Sequence, residues 1–213
     1  MEVLLLDLDE TLYPRGNGVL DRIDARINAY LIERLAVPRH EVDDLRRRLR
    51  DAHGTTMRGI QANYDVDITD YLDLVHRVDL SDLLAPAPEL RALLAGLPGR
   101  KAVFSNAPLC HVEQVLRLLD VADAFEAVLA LEDLALLPKP DPRAYAAVTE
   151  RLGVRGADCT FVDDTRANLI GARASGMRTV WLAPGPTRDG EVHHVITRLD
   201  ELGPLLREGF RTE

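Results

Sequence analysis

Hydrophobic and polar positions along this chain follow two rhythms. Near the start, Leu4-Leu5-Leu6 runs directly into Asp7-Leu8-Asp9-Glu10-Thr11. A short unbroken apolar run of this kind predicts a strand covered on both faces, here one that ends in acid. Pro14-Arg15-Gly16-Asn17-Gly18 then interrupts the pattern. Apolar residues next recur at Leu20, Ile23, Ile27, Leu31 and Leu35 with charges between them, the spacing of a helix face. Pro38 opens a second helix, shorter helical patterns cover 57–64 and 69–78, and Ala85-Pro86-Ala87-Pro88 makes another stiff break. The pattern predicts a helical insertion over 15–85.

Beyond it, strands and helices alternate. Ala102-Val103-Phe104, Ala127–Leu131, Thr160-Phe161-Val162 and Thr179–Leu182 read as strands. One helix runs through Val112, Val115, Leu116 and Leu119, one from Asp141-Pro142 to near Gly153, and one follows Asp163-Asp164 and stops at Ser175-Gly176. Repeated strand–helix units predict an α/β fold, a doubly wound parallel sheet with helices on both faces.

Composition narrows the function classes. A chain of 213 residues has room for one core and a modest insertion. The net charge of −9 argues against a nucleic-acid polymer or an anionic membrane as partner. No apolar run reaches the roughly 20 residues of a membrane helix, and no basic, apolar leader is visible. Cys110 and Cys159 have no metal or redox spacing and are expected to be free thiols in a reducing compartment, the cytoplasm. The basic run Arg46-Arg47-Arg48-Leu49-Arg50 is expected to be a solvated helix face. Only two of the 26 basic residues, Lys101 and Lys139, are lysines. In so arginine-rich a chain a lysine suggests a chemical need for a compact ammonium.

Candidate chemistry collects where strands end. On a strand, residues two apart point the same way, so Asp7 and Asp9 can converge where a divalent cation would relieve their repulsion. Ser105-Asn106 and Asp163-Asp164 end two further strands, and Lys139-Pro140 follows a third closely. In a parallel sheet these carboxyl ends share one edge, the edge at which ligands bind. Plainer readings exist for each: acidic helix caps, a turn before Pro108, an exposed loop lysine. All of them would have to hold at once. His193-His194 does not suggest a metal site, because neighbouring strand residues face opposite ways, and Asp65 and Asp67 read as a turn.

This pattern resembles the haloacid dehalogenase superfamily of aspartate-dependent phosphohydrolases. Asp7, Asp9 and Thr11 match its Asp-x-Asp-x-Thr motif, Ser105 its strand-ending hydroxyl, Lys139 its lysine, and Asp163-Asp164 its acidic pair, in order over nearly the whole chain. The resemblance implies a hydrolase core over 1–14 and 86–213, with 15–85 as a helical C1 cap that sets specificity. It implies Asp7 as nucleophile, Asp9 as general acid and base, and Lys139 as a catalytic charge that also binds phosphate with Ser105 and Asn106. It implies Mg²⁺ held by Asp7, the Asp9 backbone carbonyl and Asp163, with Asp164 behind them or joined through water. Asn168 departs from the pattern, since many relatives carry an acid there. The expected substrate is a small phosphorylated metabolite. Leu12-Tyr13-Pro14, Gly54–Gly59, His76–Asp79 and Phe161–Leu169 look like the pyrimidine 5′-nucleotidase branch, which makes Tyr13, Arg58, Tyr64 and His76 candidate specificity residues and UMP or CMP candidate substrates. A sugar-phosphate phosphatase, a phosphomutase, a phospho-accepting receiver module and a catalytically silent binding protein are the alternatives. The acid two residues after Asp7 and the long insertion speak against the receiver.

Overall fold

The described residues, 3–208 of a computed structural model, fall into two units: one through residue 17 and again from residue 84, the other Gly18–Leu83.

The Gly18–Leu83 unit is helical: α1 (Val19–Leu35), α2 (Val42–His53), α3 (Thr56–Asn63) and α4 (Ile68–His76). Short polar side chains start the last two. Thr55 Oγ1 accepts from the Arg58 N–H at 3.1 Å, and Asp67 accepts from those of Thr69 and Asp70 at 2.8 and 3.3 Å. The apolar faces meet inside, where Tyr30 of α1 and Tyr71 of α4 pack edge to face at 4.9 Å. A Cβ on Gly59 would lie 2.5 Å from that of Leu49, so only glycine lets α2 and α3 come this close. One expectation is corrected here. Arg46 does not belong to a solvated face: it is buried, donates to Asn28 Oδ1 at 2.8 Å and pairs with Asp24, bracing α2 against α1. Arg47, Arg48 and Arg50 are exposed.

The other unit is an α/β layer structure. Its helices are α5 (Pro88–Gly96), α6 (Leu109–Leu118), α7 (Pro142–Leu152), α8 (Arg166–Ala174) and α9 (Leu202–Glu208). Its strands are β1 (Val3–Leu6), β2 (Arg100–Phe104), β3 (Ala127–Leu129), β4 (Cys159–Asp163), β5 (Arg178–Leu182) and β6 (His194–Ile196). All pair in parallel in the order β3-β2-β1-β4-β5-β6. β1 lies at the centre with all four residues buried, as its apolar run demands. β3 is shorter than the pattern predicts, because the chain turns into a 3₁₀ helix at Leu131, whose N–H bonds to Ala107 O at 3.0 Å. Apart from the His193-His194 pair β6 has no clear pattern in sequence; it is three residues long and begins at His194.

On one sheet face Val3, Leu5, Phe104 and Phe161 pack with Tyr145 of α7 and Leu169 of α8. Gly171 permits this: a Cβ there would come 2.8 Å from the Tyr145 hydroxyl. Cys110 is exposed, Cys159 is buried in β4, and both are free thiols. Among the described residues no helix is long and apolar enough to cross a membrane.

Candidate active site

Leu6 pairs with Val103 on one side and Val162 on the other, so Asp7, Phe104 and Asp163 stand level on three adjacent strands. Asp7 extends the ladder through its N–H to Val162 O at 2.9 Å, and Ser105 does so through its own to Leu129 O at 3.0 Å. The sheet therefore delivers two carboxylates and a hydroxyl to one edge. A loop ahead of α7 delivers the fourth group, Lys139.

That lysine is held by its own peptide as well as its side chain. Its N–H donates to Asn106 Oδ1 at 2.7 Å, and its carbonyl accepts from Asn106 Nδ2 at 3.0 Å. The Nζ donates to Asp7 Oδ1 at 2.7 Å, Asp163 Oδ2 at 2.9 Å and Phe104 O at 2.7 Å. All three ammonium hydrogens are thereby satisfied. The Phe104 and Phe161 rings add cation–π contacts at 4.8 and 4.9 Å. With 1% of the side chain exposed, the charge survives only because it is paired. Burial alone would lower its pKa, but Asp163 and Asp7 outweigh it and hold the ammonium above the ordinary lysine value. Asp7 is raised well above the usual carboxylate range, chiefly by burial with Asp163 adding, while Lys139 pulls the other way.

Asp163 is fully buried and anchored by Thr165 N–H at 2.6 Å and Asn168 Nδ2 at 3.0 Å, besides Lys139. The residue that departs from the family pattern thus supplies an N–H to the carboxylate rather than a second charge. Asp164 pairs with Arg15 and accepts from Thr165 Oγ1 at 3.3 Å. Burial, with Asp163 beside it, pushes its carboxyl up to about 6. Oxygens of Asp7, Asp163 and Asp164 lie within 4.8 Å of one another. Three hard oxygen donors around one ammonium leave excess negative charge, the donor chemistry a Mg²⁺ ion takes.

The Asp9 carboxylate meets a different set of partners. Its Oδ1 accepts from Tyr13 Oη at 2.5 Å and meets His111 Nε2 at 2.7 Å. Glu10, in the left-handed region at φ 58°, bends the chain just after it. Thr11 is buried, and its hydroxyl has no hydrogen-bond partner.

Tyr13 is 4% exposed and gives its hydroxyl to Asp9. Asn106 holds the Lys139 peptide through Oδ1 and one of its two Nδ2 hydrogens. Ser105 is buried, with Oγ accepting from Ala107 N–H at 3.0 Å. Asp7, Ser105, Lys139, Asp163 and Asp164 therefore share one edge. Arg58, Tyr64 and His76 lie in the helical unit and are half-buried; His76 Nδ1 meets Leu72 O one turn back at 2.8 Å. His111 was not expected from sequence: it occupies the apolar face of α6, and only its partner, 102 positions away, reveals its role.

Residues 1–176 match the family model of haloacid dehalogenase-like hydrolases. Over 103 residues the chain is 37% identical to a phosphatase of Mycobacterium tuberculosis, covering 48% of this chain and 45% of that one. Over 140 residues it is 28% identical to an (S)-2-haloacid dehalogenase of Pseudomonas fluorescens, covering 64% and 58%. The chain spans about half the length of the curated relatives it matches. Among solved structures, a haloacid dehalogenase-type phosphatase from Thermococcus onnurineus superposes with a TM-score of 0.70 at 21% identity, covering 97% of this chain and 98% of that one, a likeness of fold.

Proposed function

Because the chain belongs to the haloacid dehalogenase-like hydrolases, we propose that it is a Mg²⁺-dependent phosphomonoester hydrolase working through phosphorylated Asp7. The observation that carries this reading is Lys139 Nζ bridging Asp7 and Asp163 at one sheet edge, with a further carboxylate, Asp9, two residues after the nucleophile. In the first half-reaction an Asp7 oxygen attacks phosphorus, the ester P–O bond breaks, and Asp9 gives its proton to the leaving oxygen. In the second, water attacks phosphorus, Asp9 takes a water proton, and Asp7 leaves as carboxylate.

The electrostatic obstacle is an anion approaching an anion, roughly 4 kcal/mol for unit charges at about 4 Å and an effective dielectric of about 20. Lys139 offsets part of it. A divalent cation held by Asp7, Asp163, the Asp9 carbonyl and, directly or through water, Asp164 would supply the rest of the positive charge. The Ser105 hydroxyl and nearby backbone N–H groups receive the non-bridging oxygens.

Asp9 also favours phosphate ester over halide as the leaving group. An alkoxide needs a proton to depart, whereas a halide does not, so dehalogenation has no use for an acid at this position. On this reading the helical unit is the specificity cap, and Arg58, Tyr64 and His76 are its candidate substrate contacts. The substrate is a small phosphorylated metabolite, and the sequence stretches of the pyrimidine branch favour a nucleoside 5′-monophosphate. Two thiols without a disulfide suit a cytoplasmic setting.

The test is phosphate release from p-nitrophenyl phosphate, nucleoside monophosphates and sugar phosphates with Mg²⁺. Turnover should vanish with EDTA and return with Mg²⁺, and Asp7→Asn should lower kcat by about a thousandfold or more. A chelator-insensitive enzyme overturns the metal reading, and a flat kcat/KM across the panel overturns the pyrimidine reading.

A further inference from the structure

We infer that His111 is a positioning residue for the proton donor Asp9, and that with Tyr13 it fixes the carboxylate for transfer to the leaving group. The inference rests on the phosphatase reading above. His111 is the third residue of α6, the helix that starts just after the Ser105-Asn106 loop, and its side chain is completely buried. An imidazole on the apolar face of a helix, one place before Val112, costs free energy unless a polar partner meets it. Asp9 Oδ1 is that partner, at 2.7 Å.

The direction of the bond follows from the neighbours. Tyr13 Oη stands 2.5 Å from Asp9 Oδ1, and a phenol beside a carboxylate oxygen donates. Facing the same acceptor oxygen, His111 Nε2 is the nitrogen that carries hydrogen. Two donors from different elements, Tyr13 beyond β1 and His111 on α6, thus converge on one oxygen. A carboxylate oxygen met from two directions has its position defined. Proton transfer at the leaving oxygen needs that definition, since misplacement by about 1 Å costs about 100-fold. Complete burial distinguishes His111 from a residue that touches substrate, so it acts through Asp9.

The test uses leaving groups that differ in their need for a proton. p-Nitrophenolate departs without one, while an alkyl alkoxide, as in glycerol 2-phosphate, does not. His111→Leu should lower kcat/KM for glycerol 2-phosphate by about 10- to 100-fold, but for p-nitrophenyl phosphate by about threefold or less. His111→Gln, which keeps an N–H toward Asp9, should recover most of the glycerol 2-phosphate loss, with thermal unfolding of both variants recorded alongside. Equal losses on the two esters, no loss on either, or failure of Gln to do better than an equally stable Leu variant would overturn the inference. Wild-type protein that hydrolyses neither ester would instead sink the phosphatase reading itself.

Discussion

The two units treat buried charge in opposite ways. In the helical unit the buried cation, Arg46, has partners from one neighbouring helix, and Asp24 remains largely in water. Remove the pair and a helix contact is lost, nothing more. In the α/β unit Lys139 and Asp163 are sealed from solvent, and each contacts several groups drawn from different strands and loops. Such a network stabilises poorly for what desolvation costs. Its persistence at a strand-end edge points to chemistry, whereas Arg46 points to packing.

Substitutions at the two cations should separate these roles. Lys139→Arg keeps the charge but replaces a point whose three donors reach Asp7, Asp163 and Phe104 O with a planar fork of different shape. We expect kcat to fall by about 100-fold or more; near-normal kinetics would place Lys139 in the same class as Arg46. Arg46→Met should cost about 1–2 kcal/mol, read as a Tm lower by about 2–8 °C. An unchanged Tm would show that the brace contributes nothing.

The smallest effect concerns the cysteines, both in the α/β unit. Burial pushes the Cys159 thiol up to about 11, so at pH 8 only about one molecule in a thousand is thiolate. An alkylating reagent should modify exposed Cys110 promptly and Cys159 only after denaturation. In Arg46→Met the protection of Cys159 should persist; its loss would mean that loosening the helices also opens the sheet.

The same contrast governs what the sequence discloses. Asp7, Ser105, Lys139 and Asp163 stand out because apolar strand runs stop at or near them, and a parallel sheet has one edge for such endings. The Asp141 cap and the α1 face are legible for a similarly local reason, a short polar side chain before Pro142 and the 3.6-residue period, whereas Asp67, which reads as a turn, caps α4. What stays hidden depends on partners remote in sequence. His111 reads as one more position of a buried helix face, Arg46 is masked by its exposed neighbours Arg47 and Arg48, and β6 is too short to show a period. Asn106 and Tyr13 adjoin the strand-end groups in sequence, yet the partners of their side chains depend on the fold.

The placement of β1 between β2 and β4 has a consequence for how the sheet finds its alignment. Its residues are apolar on both faces, so a slide by one position would bury just as much hydrocarbon and meet no penalty from greasiness alone. Asp7 supplies the penalty: shifted inward by one place it would take the position of Leu6, level with Val103 and Val162 and on the face away from Lys139, unpaired at a cost of several kcal/mol. The acids that end these strands therefore act as stops during assembly, and the groups that would perform the reaction are also those that index the central strands against each other.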